Sequence, residues 1–132
     1  MVNFICEFFD QQPTNMRIAY LRQRLLVMIF REILTENGVK TTREGDDIFV
    51  DGRKLSISIA SVSLSSAKIH FALNLEDKGT PGDVETIGLY DIDEGNVFNE
   101  GNLKDLIFEV VNRYIDELET IEKDISKTKV LL

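Results

Sequence analysis

From Asp46 to Leu75, apolar residues alternate with polar ones over two consecutive stretches, and the rest of the chain is arranged around this alternation. A strand has a side-chain period of two, so the pattern predicts half-buried strands. Asp51-Gly52 separates Ile48–Val50 from the run Arg53–Ile59. It predicts a tight hairpin, because a type I′ turn needs positive φ at both central residues. In the second strand Leu55, Ile57 and Ile59 fall on one parity, and Lys54, Ser56, Ser58 and Ala60 on the other. In the next strand Ile69, Phe71, Leu73 and Leu75 oppose Lys68, His70, Ala72 and Asn74. Matched like with like, the strands predict one bulky apolar face and one face of small residues carrying Lys54, His70 and Asn74. That second face has room for a flat or elongated ligand. Plain solvent exposure is the other reading, since half-buried antiparallel sheets routinely show it.

The remaining elements follow from the same periodicities. Val2 to Phe9 is apolar on much of both parities, which predicts a central or near-central strand. Ile18, Leu21, Leu25, Met28, Ile29 and Ile33 recur at helical spacing, so a helix is expected from Met16 to Asn37, capped by Thr14 or Asn15 and stopped by Gly38. Val39 to Arg43 reads as a short strand, and the slip of parity between Ile59 and Val62 predicts a bulge or bend near Ser61. Glu76 to Glu85, charged and rich in Gly and Pro, reads as a surface loop or lid between strand ends, and Thr86 to Ile92 as a short edge strand or helical turn. From Asn102 to Lys127 a clean apolar stripe, Leu103 through Ile125, predicts a long helix packed on the sheet. Strand, helix, several mostly antiparallel strands and a second helix make an α+β two-layer sandwich, with both long helices on one sheet face.

Composition narrows the setting. At 132 residues the chain is the size of one domain and buries ~68% of its unfolded surface without needing a disulfide or metal. The longest apolar run, Leu25 to Phe30, is too short to cross a bilayer, and Met1 to Phe9 lacks the pattern of a secretory signal, so a cytoplasmic location is expected with no membrane partner. With 23 acidic against 15 basic residues the net charge is −8, which opposes nucleic acid as a partner. A single cysteine, Cys6, excludes an intramolecular disulfide and cannot build a structural zinc site alone.

Few residues point to chemistry. Arg17, Arg24 and Arg31 recur every seven residues, with Arg22 nearby. They read as a solvated helix face, or, for Arg17 and Arg22 near the helix start, as a clamp for a carboxylate or phosphate. The serines from Ser56 to Ser66 lack a nucleophile elbow, and His70, the one histidine, sits in no triad spacing. Asp91, Asp93, Glu94 and Glu100 are spaced somewhat like a calcium loop but lack its later ligands, so no metal site is expected.

The run Asp46-Asp47-Ile48-Phe49-Val50-Asp51-Gly52-Arg53-Lys54-Leu55-Ser56 resembles the segment of biotin and lipoate protein ligases that reads Asn-Asp, three apolar residues, a turn, then Lys-Leu or Lys-Ile. His70-Phe71-Ala72-Leu73-Asn74-Leu75 is similar to their Gly-rich strand ending in Ile-Asn, and Thr86-Ile87-Gly88-Leu89 and the Asn102 helix follow in the same order. Over nearly its whole length, with AYLRQRLLV, GDDIFVDGRKLSISIA and DELETIEKDISKTK, the chain resembles an uncharacterised, largely archaeal family placed in that ligase superfamily. The resemblance implies a class II synthetase-like fold and a bound carboxylic acid or its adenylate. Lys54 would contact the anionic group, Asp47 would orient the lysine or the nucleotide, and Asn74 would line the far end, with Ser56, Ser58 and His70 on the ligand face. It also implies an extra N-terminal segment in family members. Two departures stand out: the ligases' Arg/Gly-rich adenylate loop has no counterpart, and Ile57 stands where they place Gly. A ligase or acyltransferase activity and a non-catalytic interaction domain therefore both remain open, and no cofactor is named. A homodimer through the Val2 to Phe9 strand edge or the helix from Ile115 to Leu132 is expected.

Overall fold

The computed structural model describes residues 1–77 and 85–128. Strand β1 (Val2–Phe8) leads to helix α1 (Met16–Glu36), which starts where Asn15 Oδ1 accepts the Ile18 N–H at 3.1 Å. The helix ends at Gly38, whose φ of 79° reverses the chain. Strands β2 (Thr42–Glu44), β3 (Asp47–Val50) and β4 (Arg53–Lys54) form one small antiparallel sheet. The Asp51-Gly52 turn between β3 and β4 has φ of 52° and 74°, the two positive values that its sequence predicts. Strands β5 (Ser56–Val62) and β6 (Ala67–Leu73) join β1 in a second antiparallel sheet of order β1-β6-β5. A kinked 3₁₀ segment (Leu89–Gly95) precedes the long helix α2 (Leu103–Lys127).

The helices close over one face of the larger sheet. Leu26, Val27, Phe30, Ile33 and Leu34 of α1 are wholly buried against Ile69, Phe71 and Leu73 of β6. Each such side chain contributes ~1.5–3 kcal/mol by leaving water. Phe71 meets Phe30 edge-on at 5.7 Å and Phe4 at 6.1 Å, so it links α1 to β1 through the middle strand. Helix α2 adds Leu106, Val110 and Tyr114 to this core, and the Tyr114 hydroxyl donates to the Arg22 carbonyl at 2.9 Å. Arg113 crosses to Glu36 at the other end of α1. The last turns of α2 run past the core, with Ile121 and Ile125 exposed.

Four expectations are corrected. The β5–β6 register sets Ser58 opposite Phe71 and Ile59 opposite His70, so Ser56, Ser58 and Ala60 share a face with Ile69, Phe71 and Leu73 and lie toward α1. The small residues of β5 thus face the helix layer, where they leave room for α1, while Ile57 and Ile59 look outward beside His70. A one-residue difference in register exchanges the two faces, and alternation alone does not fix it. The long strand expected from Arg53 onward breaks at Leu55 instead of bulging near Ser61. Leu55 donates its N–H to Ile48 in one sheet and accepts the Asn74 N–H in the other, and both Leu55 and Ser56 are buried. Strand β1 is an edge strand instead of a central one: Val2 and Phe4 are buried, but Ile5 is 68% exposed. The short strand expected from Val39 runs instead from Thr42 to Glu44, Val39 being spent on the core. Most of the expected Glu76–Glu85 lid and the apolar ending Val130-Leu131-Leu132 fall outside the described residues.

Candidate functional site

Lys54 sits where the two sheets meet, and its backbone is held on every side. Its N–H donates to the Glu85 carbonyl at 2.9 Å, and its carbonyl accepts the Ile87 N–H at 3.0 Å and Asn74 Nδ2 at 3.3 Å. Asn74 Nδ2 also reaches the Ile87 carbonyl at 3.3 Å, so one amide side chain ties the lysine strand to the Thr86–Leu89 segment. Gly88 in that segment lies flat on the chain at Leu75. A Cβ there would stand 2.2 Å from the Leu75 carbonyl carbon, so only glycine fits. The Lys54 ammonium lies 3.3 Å from Asp47 Oδ1, with both side chains about one quarter exposed. The antiparallel β3–β4 pair, closed by Asp51-Gly52, brings these two residues together. A cation beside a carboxylate, with both side chains partly exposed, can donate a charge-assisted hydrogen bond to an anionic ligand group.

The other residues named from the sequence are dispersed. Ser58 and Ser56 are turned inward: Ser58 Oγ and Gln23 Nε2 both donate to Asp46 Oδ2, at 3.0 and 2.9 Å, and Ser56 Oγ accepts the Ile48 N–H at 3.1 Å. Both serines therefore do structural work under α1. His70 is exposed on the outer face, where its Nε2 lies 2.8 Å from Asn3 Oδ1 on β1. Arg22 binds Asp10 through two hydrogen bonds, at 2.9 and 2.7 Å, and its guanidinium lies 4.3 Å over the Phe8 ring. The guanidinium holds the Asp10 carboxyl below its ordinary value. Arg31 turns to Thr41, and Arg17 stands exposed on the first turn of α1. The arginine heptad thus forms no common clamp.

Sequence reasoning missed two features. Gln23, mid-helix and 1% exposed, anchors the Asp46–Ser58 cluster while its Oε1 has no partner among the described residues. A lone polar residue in an apolar helix stripe is its only trace in the sequence. The second feature is an open cleft of about 950 Å³ between the first half of α1 and the last turns of α2, lined by Phe8, Leu21, Leu25, Leu118 and Ile121. It lies away from Lys54. Asp91, which the sequence sets in an incomplete calcium-like spacing, accepts the N–H groups of Gly88 and Asp77, each at 2.8 Å, and so braces the segment beside the lysine. Among the described residues no cluster of His, Cys, Asp and Glu could hold a metal ion, and no helix is long and apolar enough to cross a membrane.

The α+β sandwich has the fold of biotin protein ligases. The biotin protein ligase from Aquifex aeolicus in complex with biotin and ATP superposes with a TM-score of 0.68 at 15% identity, over 92% of this chain and 51% of that one. At that identity the likeness speaks for the fold. The chain belongs to the family described as domain of unknown function DUF366, whose model matches residues 1–129. A protein of unknown function from Pyrococcus horikoshi shares 35% identity and a TM-score of 0.83 over 98% of this chain and 64% of its own. The uncharacterized protein MJ0805 of Methanocaldococcus jannaschii is 37% identical over 134 residues. The chain spans 99% of its own length in that match but only 55% of MJ0805.

Proposed function

We propose that this chain is the acid-binding part of a ligase-like protein and holds a carboxylate-bearing small molecule, or its adenylate, at Lys54. The carrying observation is the placement of that lysine: its backbone is fixed by Glu85, Ile87 and Asn74, and its partly exposed ammonium is set 3.3 Å from Asp47 at the sheet junction. A pre-positioned cation loses little freedom on binding, which favours an anionic ligand group. The biotin named in the Aquifex complex is such an acid, and the shared fold gives the reading its chemical class. The ligand does not lie over Ser56 and Ser58, which α1 covers. Calorimetric titration with biotin, lipoate, octanoate and their non-hydrolysable adenylate analogues tests the reading, and at least one should bind.

A second reading, a non-catalytic interaction domain on the same fold, draws support from Ile57. It replaces the ligases' glycine and projects 48% exposed from the sheet. Pyrophosphate exchange into ATP, in the presence of each acid and magnesium, separates the two. Exchange supports the first reading, and binding without exchange supports the second.

A further inference from the structure

The geometry points to a second ligand site, one for a phosphorylated sugar, in an open cavity of about 660 Å³ between the end of α1 and the Asp51-Gly52 turn. Helix α1 contributes Arg31, the connection to β2 contributes Lys40, Thr41 and Thr42, and the hairpin turn contributes Asp51. Every lining residue lies between positions 31 and 52, so the two ends of one short stretch of chain build the cavity. None of them belongs to the Lys54 junction, and occupancy here does not depend on the acid proposed there.

Local structure keeps the cavity open. The β2–β3 ladder stops at the Thr42–Phe49 pair, and beyond it no backbone hydrogen bond among the described residues joins the α1 connection to the hairpin turn. Gly38 lines the cavity from the helix end and Gly52 from the turn, and a Cβ at either would meet nothing within 4 Å. A volume of this size falls in the ~300–1,000 Å³ range of small-molecule sites.

The cationic side is already positioned. Arg31 Nε and Nη2 donate to the Thr41 hydroxyl and carbonyl oxygens at 2.9 and 3.1 Å, which fixes the guanidinium. Its Nη1 has no acceptor among the described residues, and neither Arg31 nor Lys40 has a carboxylate oxygen within 4.0 Å there. Two cations against the one carboxylate of Asp51 leave a local surplus of positive charge in a chain of net charge −8. The Thr41 hydroxyl, accepting from Nε, keeps its own O–H to donate. At the helix end the Ile33, Leu34 and Thr35 carbonyls are taken by the Asn37 side chain and the N–H groups of Asn37, Gly38 and Val39, which blunts the negative pole that would oppose an anion.

A guanidinium, an ammonium and two hydroxyls offer more donors than the two oxygens and single charge of a carboxylate can use. A phosphomonoester brings three oxygens and a charge of about −1.5 to −2 at neutral pH. Asp51 repels a free phosphate ion but accepts hydroxyl protons, so the favoured ligand sets its phosphate at Arg31 and Lys40 and its sugar hydroxyls at Asp51.

The test is a titration of the 132-residue chain, followed by its amide NMR signals, with ribose 5-phosphate, glucose 6-phosphate, the two free sugars and inorganic phosphate. At least one ester should shift Gly38, Thr41, Thr42 and Gly52 saturably, and the free sugars should shift none of them. Inorganic phosphate should bind at least about threefold more weakly than that ester. Lys40→Gln changes an exposed residue, leaves the Arg31–Thr41 bonds in place and should weaken the ester at least about tenfold. Asp51→Asn keeps a residue that tolerates the positive φ of the turn, and should weaken the ester while tightening inorganic phosphate. No ester binding to the parent, shifts confined to Asn74 and Ile87 beside Lys54, an unchanged affinity in Lys40→Gln, or inorganic phosphate bound as tightly as the esters would each overturn the proposal.

Discussion

Replacing Gly88 by alanine tests how tightly the Thr86–Leu89 segment is pressed onto the lysine junction. The added methyl would stand 2.2 Å from both the carbonyl carbon and the oxygen of Leu75, so the two chains must separate by roughly 1.2–1.8 Å to reach ordinary contact. The clash is with backbone, which no side-chain rotation relieves. Overpacking of this kind costs ~1–3 kcal/mol. The separation also strains the bonds that stitch the segment down, namely Ile87 N–H to Lys54, Leu89 N–H to Asn74 and Tyr90 N–H to Leu75, at 2.8–3.0 Å. Each is worth ~1 kcal/mol net. Together these give a destabilisation of about 3 kcal/mol, and with a urea dependence of ~1.5–2 kcal/mol per molar the unfolding midpoint should fall by ~1.5–2 M. A midpoint within ~0.3 M of the parent would show that the segment is not clamped as described and would remove the reason for its glycine.

Other substitutions separate structural from ligand-facing roles. Gln23→Met forfeits the hydrogen bonds to Asp46 and Ser58 but removes a buried oxygen without a partner, and Ser58 still donates to Asp46, so chemical denaturation should place it within ~1 kcal/mol of the parent. A loss above ~3 kcal/mol would show the amide to be essential to that cluster. Asp10 has its pKa lowered chiefly by the Arg22 hydrogen bonds, so its contribution is present above the ordinary carboxylate range and lost as pH falls through the depressed value. Asp10 itself is 56% exposed, so screening by solvent limits the cost of Asp10→Asn to about 1 kcal/mol at neutral pH. It should also flatten the stability curve below about pH 4, and an unchanged acid limb would show that the pair does not contribute.

The local signals in the sequence translated well into local structure. Asp51-Gly52 specifies its turn because positive φ at two successive residues suits few pairs, and Asn15 and Gly38 mark the ends of α1 by the chemistry of helix caps. The Lys54–Asp47 proximity follows from that hairpin. What depended on contacts distant in sequence was not legible. Alternation in β5 and β6 shows two faces for each strand but not which faces coincide, so Ser56 and Ser58 came out beneath α1, and His70 lies on the far side of the sheet from them. Strand β1 looked central because Ile5 is apolar, whereas among the described residues only β6 pairs with it. Arg22 gave no sign of Asp10, since that pair depends on how the turn after β1 returns to α1.

The central claim, that Lys54 receives the acidic end of a ligand, is tested most directly by calorimetric titration of the parent and Lys54→Ala chains with the acyl-adenylate analogue that binds the parent most tightly. The lysine side chain is about one quarter exposed and its junction is held through backbone groups, so the variant should fold as the parent does. Loss of a charge-assisted contact removes ~1.5–3 kcal/mol, and the dissociation constant should therefore rise by roughly 10- to 150-fold. Equal affinity in the two chains, or no binding of any acid or adenylate analogue to the parent, would contradict it.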